Sequence, residues 1–147
     1  MRAASLVPSG TLLLRALGVE PVGVSHSCPN PTGLPVLTES LIPEGLSQEE
    51  TDRRVREAYA RGLSLYRVRT ERLQALAPDL LVIQEVCEVC APTPAEVGQA
   101  LAFLPKRPQV VALQGTRLAD LFRDLARLGV RSSRAHPSRI PPFYDSL

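Results

Sequence analysis

The chain has no tryptophan, and only three tyrosines and three phenylalanines among its 147 residues. Unpaired nucleic-acid bases are held by stacking on aromatic faces, and that platform is missing here. A dominant charge is missing too: 17 Lys and Arg stand against 15 Asp and Glu, for a formal charge of +2. Neutralising a phosphate backbone takes a concentrated basic stripe, so nucleic acid is not expected as a partner. No apolar run approaches the ~18 residues that cross a bilayer, and a membrane-spanning chain is not expected either. Cysteine is scarce and odd in number, with Cys28, Cys87 and Cys90 alone. An odd set argues against a fully paired disulfide framework and leaves at least one thiol free or bound to something else.

A secretory leader is not evident. Met1 to Leu17 carries Arg2 and a Leu-rich stretch, but Pro8, Ser9 and Gly10 interrupt it. The remaining run, Ala3 to Val7, is shorter than the apolar region of a signal peptide. The segment reads as a strand and then a helix, and the chain as written is expected to stay in the cytoplasm.

With 44% hydrophobic residues, the chain can bury the core of one domain. Ala3 to Val7 reads as a strand, Pro8-Ser9-Gly10 as a turn, Thr11 as an N-cap, and Leu12 to Leu17 as a helix closed by Gly18. Val22 to Val24 is a second strand that runs into a polar loop from Ser25 to Gly33, and Leu34 to Leu37 is briefly extended. Ser47, with Glu50 three residues on, is a capping-box signature for a charged helix that runs to about Arg61 and is closed by Gly62. Its stripe of Val55, Ala58 and Tyr59 is thin, so the helix should lie on the surface. Ser64 to Val68 is a strand, Thr70 caps a helix through Leu76, and the continuous apolar run Leu80 to Ile83 suits a central parallel strand. A loop from Gln84 to Pro94 follows, then a helix over Ala95 to Leu104 and a strand over Val110 to Leu113. Arg117 to Leu128 is an amphipathic helix with Leu118, Leu121, Phe122, Leu125 and Leu128 on one face. Strands alternating with helices predict an α/β fold: a Rossmann-like parallel sheet with helices on both faces. From about residue 130 the period is lost, and residues 130–147 are expected to be a disordered tail.

Ligands of such sheets bind beyond the carboxyl ends of the strands, where helix N-termini offer unpaired N–H groups. Three loops qualify: Pro8-Ser9-Gly10-Thr11, Ser25-His26-Ser27-Cys28, and Gln84-Glu85 through Cys87 to Cys90. The set His26, Cys28, Cys87 and Cys90 could supply four ligands for tetrahedral zinc or hold a chelated metal. About sixty residues separate its halves, and His-x-Cys is not a zinc-finger spacing. A redox dithiol at Cys87-x-x-Cys90 and a set of packed, unreactive thiols remain open beside it. Glu85 and Glu88 have no nucleophile or activated water beside them and read as solvated acids. Ser9 lacks the Gly-x-Ser-x-Gly frame of a nucleophile elbow. No catalytic residue is assigned, and the chain is not expected to be an enzyme.

Several of these segments together resemble a known family. Ser5-Leu-Val-Pro-Ser9-Gly-Thr11, Ala16-Leu-Gly18 and Val22-Gly-Val-Ser25 look like the opening of the cobalamin and iron-siderophore substrate-binding proteins of ABC transporters. Leu73 to Gln84, with its Pro78-Asp79 turn, is similar to the family's helix, turn and central strand. His26-Ser-Cys28 and Gln84-Glu-Val-Cys87-Glu-Val-Cys90 resemble a subgroup called cobalamin-binding proteins. The resemblance covers about residues 1–129 and implies a single lobe of a metal-receptor-type binding protein, whose two lobes are joined by a long helix. It departs at Leu12, where family members often carry Glu. What it implies is non-catalytic binding of cobalamin or a related metal chelate through Ser9, Ser25, His26, Gln84 and Glu85, with His26, Cys28, Cys87 and Cys90 as metal-facing groups. No resident cofactor is required; an ABC-transporter permease would be the partner of an exported form, which the family places outside the cytoplasm. Two other readings are a cytoplasmic thiol or metal-handling protein built on the Cys-x-x-Cys loop, and a truncated remnant that self-associates through its exposed lobe face.

Overall fold

The computed structural model describes residues 1–85, 91–115, 120, 123–124 and 126–129. It is α/β. The element order is β1 (Ala3–Ser5), α1 (Pro8–Ala16), β2 (Thr38–Ser40), α2 (Gln48–Ala60), β3 (Tyr66–Val68), α3 (Thr70–Leu76), β4 (Leu80–Gln84), α4 (Pro94–Ala102) and β5 (Gln109–Leu113). Residues 120, 123–124 and 126–129 are helical. The other residues of the expected Arg117 to Leu128 helix, and the tail at 130–147, lie outside the described residues.

A parallel sheet in the order β1-β4-β5 forms the centre. Leu80, Leu81 and Val82 of the middle strand are buried on both faces, which is why this strand reads as an unbroken apolar run. Alternate residues face opposite ways. Ala3, Leu80, Val82, Val111 and Leu113 pack with Leu13 and Leu14 of α1, with Leu17 at its C-cap and with Leu128. Ala4 and Leu81 pack with Leu73 of α3 and with Val97, Ala100 and Leu101 of α4. Helices therefore cover both faces.

Beyond β1 the sheet continues through single bridges rather than a full strand. Ala4 bridges Gly23, and Val24 bridges Val36, both in parallel. Val22 N–H donates to Ala3 O at 2.7 Å, and Leu37 N–H to Val24 O at 2.8 Å. From there β2 pairs antiparallel with β3, with Thr38 opposite Val68 and Ser40 opposite Tyr66. This antiparallel pair was not expected from the sequence. Thr38-Glu39-Ser40 is short and polar, so it carries no apolar alternation to reveal a strand.

Two helix starts also differ from expectation. α1 begins at Pro8, with Val7 as N-cap in extended backbone, because proline at the first helical position has the right φ and no N–H to satisfy. Thr11 lies a turn inside the helix. Thr70 is likewise the first residue of α3, with Arg69 at the cap. The Ser47 cap does form, its hydroxyl accepting from Glu50 N–H at 3.2 Å. Helices α1 and α2 both end on left-handed glycines, Gly18 at φ 73° and Gly62 at φ 63°. Val19 N–H reaches back to Leu14 O, and Leu63 N–H to Ala58 O, at 2.9 Å each. Those bonds satisfy carbonyls that the helix end leaves open. α2 buries none of its residues, as its thin stripe implied.

Gly10 sets how closely α1 lies on the sheet. A Cβ there would stand 2.5 Å from Ser5 Oγ and 2.6 Å from Val82 Cγ1. Gly10→Ala should cost about 1–3 kcal/mol through this overlap, read as a lower urea midpoint; an unchanged midpoint would mean that α1 does not pack this closely.

At the amino edge of the sheet, Asp79 joins three segments. Its carboxylate accepts from Arg2 N–H at 3.0 Å and from Lys106 Nζ at 3.1 Å. The backbone bond first, and then the ammonium, hold its pKa below the ordinary carboxylate value. A depressed folded pKa adds stability above the unfolded pKa and loses it as pH falls through the folded one. Asp79→Asn should therefore lower the melting temperature at neutral pH, and the deficit should close as the solution is acidified below the usual carboxylate range. A deficit that stays constant with pH would contradict this.

Candidate functional site at the carboxyl edge

β1 and β4 lie side by side and run parallel, yet their exits diverge. β1 leads into α1 on one face, and β4 leads toward α4 on the other. Such a reversal opens a crevice at the carboxyl ends of the strands. The strand order then fixes what lines the edge: Thr38 and the Ser25–Cys28 loop on one side, the start of α1 in the middle, and the exits of β4 and β5 on the other.

The first cluster centres on Thr38, whose side chain is fully buried. Its Oγ1 accepts from His26 N–H at 3.0 Å, lies 2.7 Å from His26 Nδ1, and donates to Ser25 Oγ at 3.1 Å. Ser25, 2% exposed, also accepts from Ser27 N–H at 3.3 Å. Ser27 Oγ sits 3.1 Å from His26 Nε2. The His26 ring packs on Tyr66, with centroids 5.2 Å apart and planes tilted by 34°. Burial first, and then the positive charge of Arg69, lower the His26 pKa, so the imidazole is neutral at pH 7. Arg69 contacts Glu39 at 3.4 Å, and its Nε is buried with no acceptor among the described residues.

Cys28 is buried beside α1, its Sγ 3.2 Å from Thr11 Oγ1. The thiol thus packs under the helix while His26 is tied to β2. Cys87 and Cys90 lie outside the described residues. Among the described residues no group of three or more His, Cys, Asp or Glu could hold a metal ion. Ser9 is half-buried in the first turn of α1, a turn that holds no acidic residue.

On the other side, half-buried Gln84 ends β4 opposite Leu113. Glu85 N–H donates to Leu113 O at 3.1 Å, and its carboxylate accepts from Gln114 Nε2 at 2.7 Å. Asp124, 3% exposed, accepts from both Gln114 N–H and Gly115 N–H at 3.0 Å. Those two bonds pin the exit of β5. Asp124 was missed although it left a signal, since it falls within the apolar spacing of Leu121, Leu125 and Leu128. Thr38, Tyr66 and Arg69 left none, because their partners are distant in sequence.

A surface groove lined by Ser47, Glu49, Glu50, Asp52, Arg53, Arg56 and Glu57 runs along α2. One exposed helix does not supply the convergent walls that a ligand needs, and the carboxyl edge is the stronger candidate. No helix among the described residues is long and apolar enough to cross a membrane.

No protein-family model and no curated protein matches the chain. Among solved structures, it is similar to the periplasmic heme-binding protein RhuT from Roseiflexus sp. RS-1 in apo form. The TM-score is 0.52 at 21% identity, over 90% of this chain and 43% of that one. Two siderophore-binding proteins are more distant. BauB, solved with two acinetobactin molecules and ferric iron, gives a TM-score of 0.43 at 17% identity, over 91% of this chain and 45% of its own. The siderophore periplasmic binding protein of the fuscachelin gene cluster of Thermobifida fusca gives 0.42 at 20%, over 94% and 45%. The chain spans under half the length of each. The first likeness is one of fold.

Asp124→Ala should leave the Gln114 and Gly115 amides without their acceptor, at a cost of about 1–3 kcal/mol. Hydrogen exchange should show those two amides losing protection while Val82 keeps it. Retained protection at both would show that another group holds the loop.

Proposed function

We propose that this chain forms one wall of a non-catalytic binding protein for a metal chelate of the haem, siderophore or corrinoid class, as the solute-binding part of an ABC transporter. The observation that carries the reading is the convergence at one edge: the half-buried start of α1 and the His26 cluster flank the point where β1 and β4 part. A helix N-terminus attracts anionic groups such as carboxylates, and chelates of these classes carry carboxylate or amide peripheries. A neutral imidazole beside it is a metal-seeking group. The fold shared with a haem-binding protein supports the ligand class.

The chain spans 43% of that protein, so one wall is the contribution assigned to it. A ligand held on one wall buries less of its surface than one clamped in a cleft. In this reading His26 faces the chelate, with Ser9, Gln84 and Glu85 around it, while buried Ser25 holds the loop behind the ring. Cys28, already engaged with Thr11, takes no part, and Cys87 and Cys90 remain candidates for a thiolate contribution.

Calorimetric titration of the full chain with haemin, aquacobalamin and a ferric siderophore tests this. At least one should bind with a dissociation constant near the micromolar level, about −8 kcal/mol. Ser9→Phe, which puts a ring across the start of α1, should weaken that binding at least tenfold, about 1.4 kcal/mol. Asp52→Asn on α2 should leave it unchanged. Absence of binding to all three, or equal loss in both variants, would defeat the proposal.

A further inference from the structure

Thr38 does more than fasten the Ser25–Cys28 loop to β2. We propose that it makes His26 a one-sided ligand, leaving Nε2 for the open axial position of a haem- or corrinoid-class metal centre. This inference rests on the reading of the carboxyl edge as a ligand wall, and it names the ligand class that the wall selects.

Proton counting carries the argument. A hydroxyl has one proton to donate and two lone pairs to fill. The Thr38 proton goes to Ser25 Oγ, at 3.1 Å. One lone pair takes His26 N–H at 3.0 Å. With the Thr38 proton on Ser25 Oγ, the second lone pair faces His26 Nδ1 at 2.7 Å, and the inference assigns the ring proton to Nδ1. A neutral imidazole protonated at Nδ1 has its free lone pair at Nε2. The partner there is Ser27 Oγ at 3.1 Å, which then donates its own proton. Ser27 is exposed, so its hydroxyl can turn to water without leaving a buried group unsatisfied.

The ring is also fixed in orientation, by Thr38 at one nitrogen and by Tyr66 against its face at 5.2 Å. A hydrogen bond to the far nitrogen, which sets tautomer and direction, is what a histidine needs in order to bind metal well. In the ligation step the Nε2 lone pair forms the metal–nitrogen bond and a water bound at the axial position leaves. Ser27 O–H turns to solvent, and no proton or electron is lost. Iron in a hexadentate siderophore has all six positions filled and offers nothing for Nε2 to bond. The edge should therefore prefer a planar chelate with an exchangeable axial site.

The test uses the full chain with three probes: haemin and aquacobalamin, which have exchangeable axial positions, and ferrioxamine B, which has none. Absorbance should report nitrogen ligation for haemin or aquacobalamin, and calorimetry should show ferrioxamine B binding at least tenfold more weakly. His26→Ala should remove the spectral signature. Thr38→Val should weaken that probe about 10–100-fold, and Thr38→Ser should restore it. Independently of any ligand, the ¹⁵N spectrum of the unmodified chain should show the ring proton on Nδ1, which decides the point even if Thr38→Val does not fold. A proton on Nε2, or a signature that survives His26→Ala, overturns the inference. Equal binding of all three probes without ligation overturns it alone and leaves the binding wall standing, whereas binding of none overturns both.

Discussion

Parallel pairing of β1 with β4 is the constraint on which the rest of this structure depends. Ala3 aligns with Leu80, Ala4 with Leu81 and Ser5 with Val82, and all six of these side chains are buried. Because successive residues alternate faces, that register decides which side chains meet α1 and which meet α3 and α4. It also brings two strand exits together that lead to opposite faces, which is the condition for a crevice. Shifting the register by one residue would turn Leu81 toward α1 and Leu80 and Val82 toward α3 and α4, and the layered core would not form.

Close packing then carries this constraint to the edge. Gly10 lets α1 lie against Ser5 and Val82, which places the helix start directly above the β1 exit. Gly23 does the same on the neighbouring segment, where a Cβ would stand 2.7 Å from Leu76 and 2.8 Å from Leu37. The Ser25–Cys28 loop is held from two sides, by Thr38 on β2 and by Thr11 of α1. On the far side Asp124 ties the exit of β5 to the helical segment that covers the sheet. The candidate wall is thus built on rigid elements, and two of its bonding groups, Thr38 and Asp124, are almost wholly shielded from water.

What the sequence made legible follows from how local each signal is. The Ser47 cap and the closing glycines at 18 and 62 act within a single turn, and each stands where it was expected. The middle strand announced itself by a run of apolar residues that only double burial explains. The start of α1 was misjudged because Pro8 and Thr11 both signal a helix N-terminus, and the proline's fixed φ prevails. β2 escaped because three polar residues carry no period, and its pairing with β3 is set by a partner nearly thirty residues away. His26 could be picked out as a candidate, but Thr38, which orients it, could not. Side chains that position others are chosen by distant contacts, and these leave no spacing to read.

In the proposed function the carboxyl edge, rather than α2 or the amino edge around Asp79 and Lys106, is the face that meets a ligand. Mapping amide shifts of the ¹⁵N-labelled chain on titration with aquacobalamin or haemin addresses that claim most directly. Changes should concentrate at Ser9 and Gly10, at Ser25 to Cys28, at Thr38, and at Gln84 and Glu85, with Arg2, Asp79 and Lys106 unmoved. Shifts confined to α2 or to the amino edge would contradict the account.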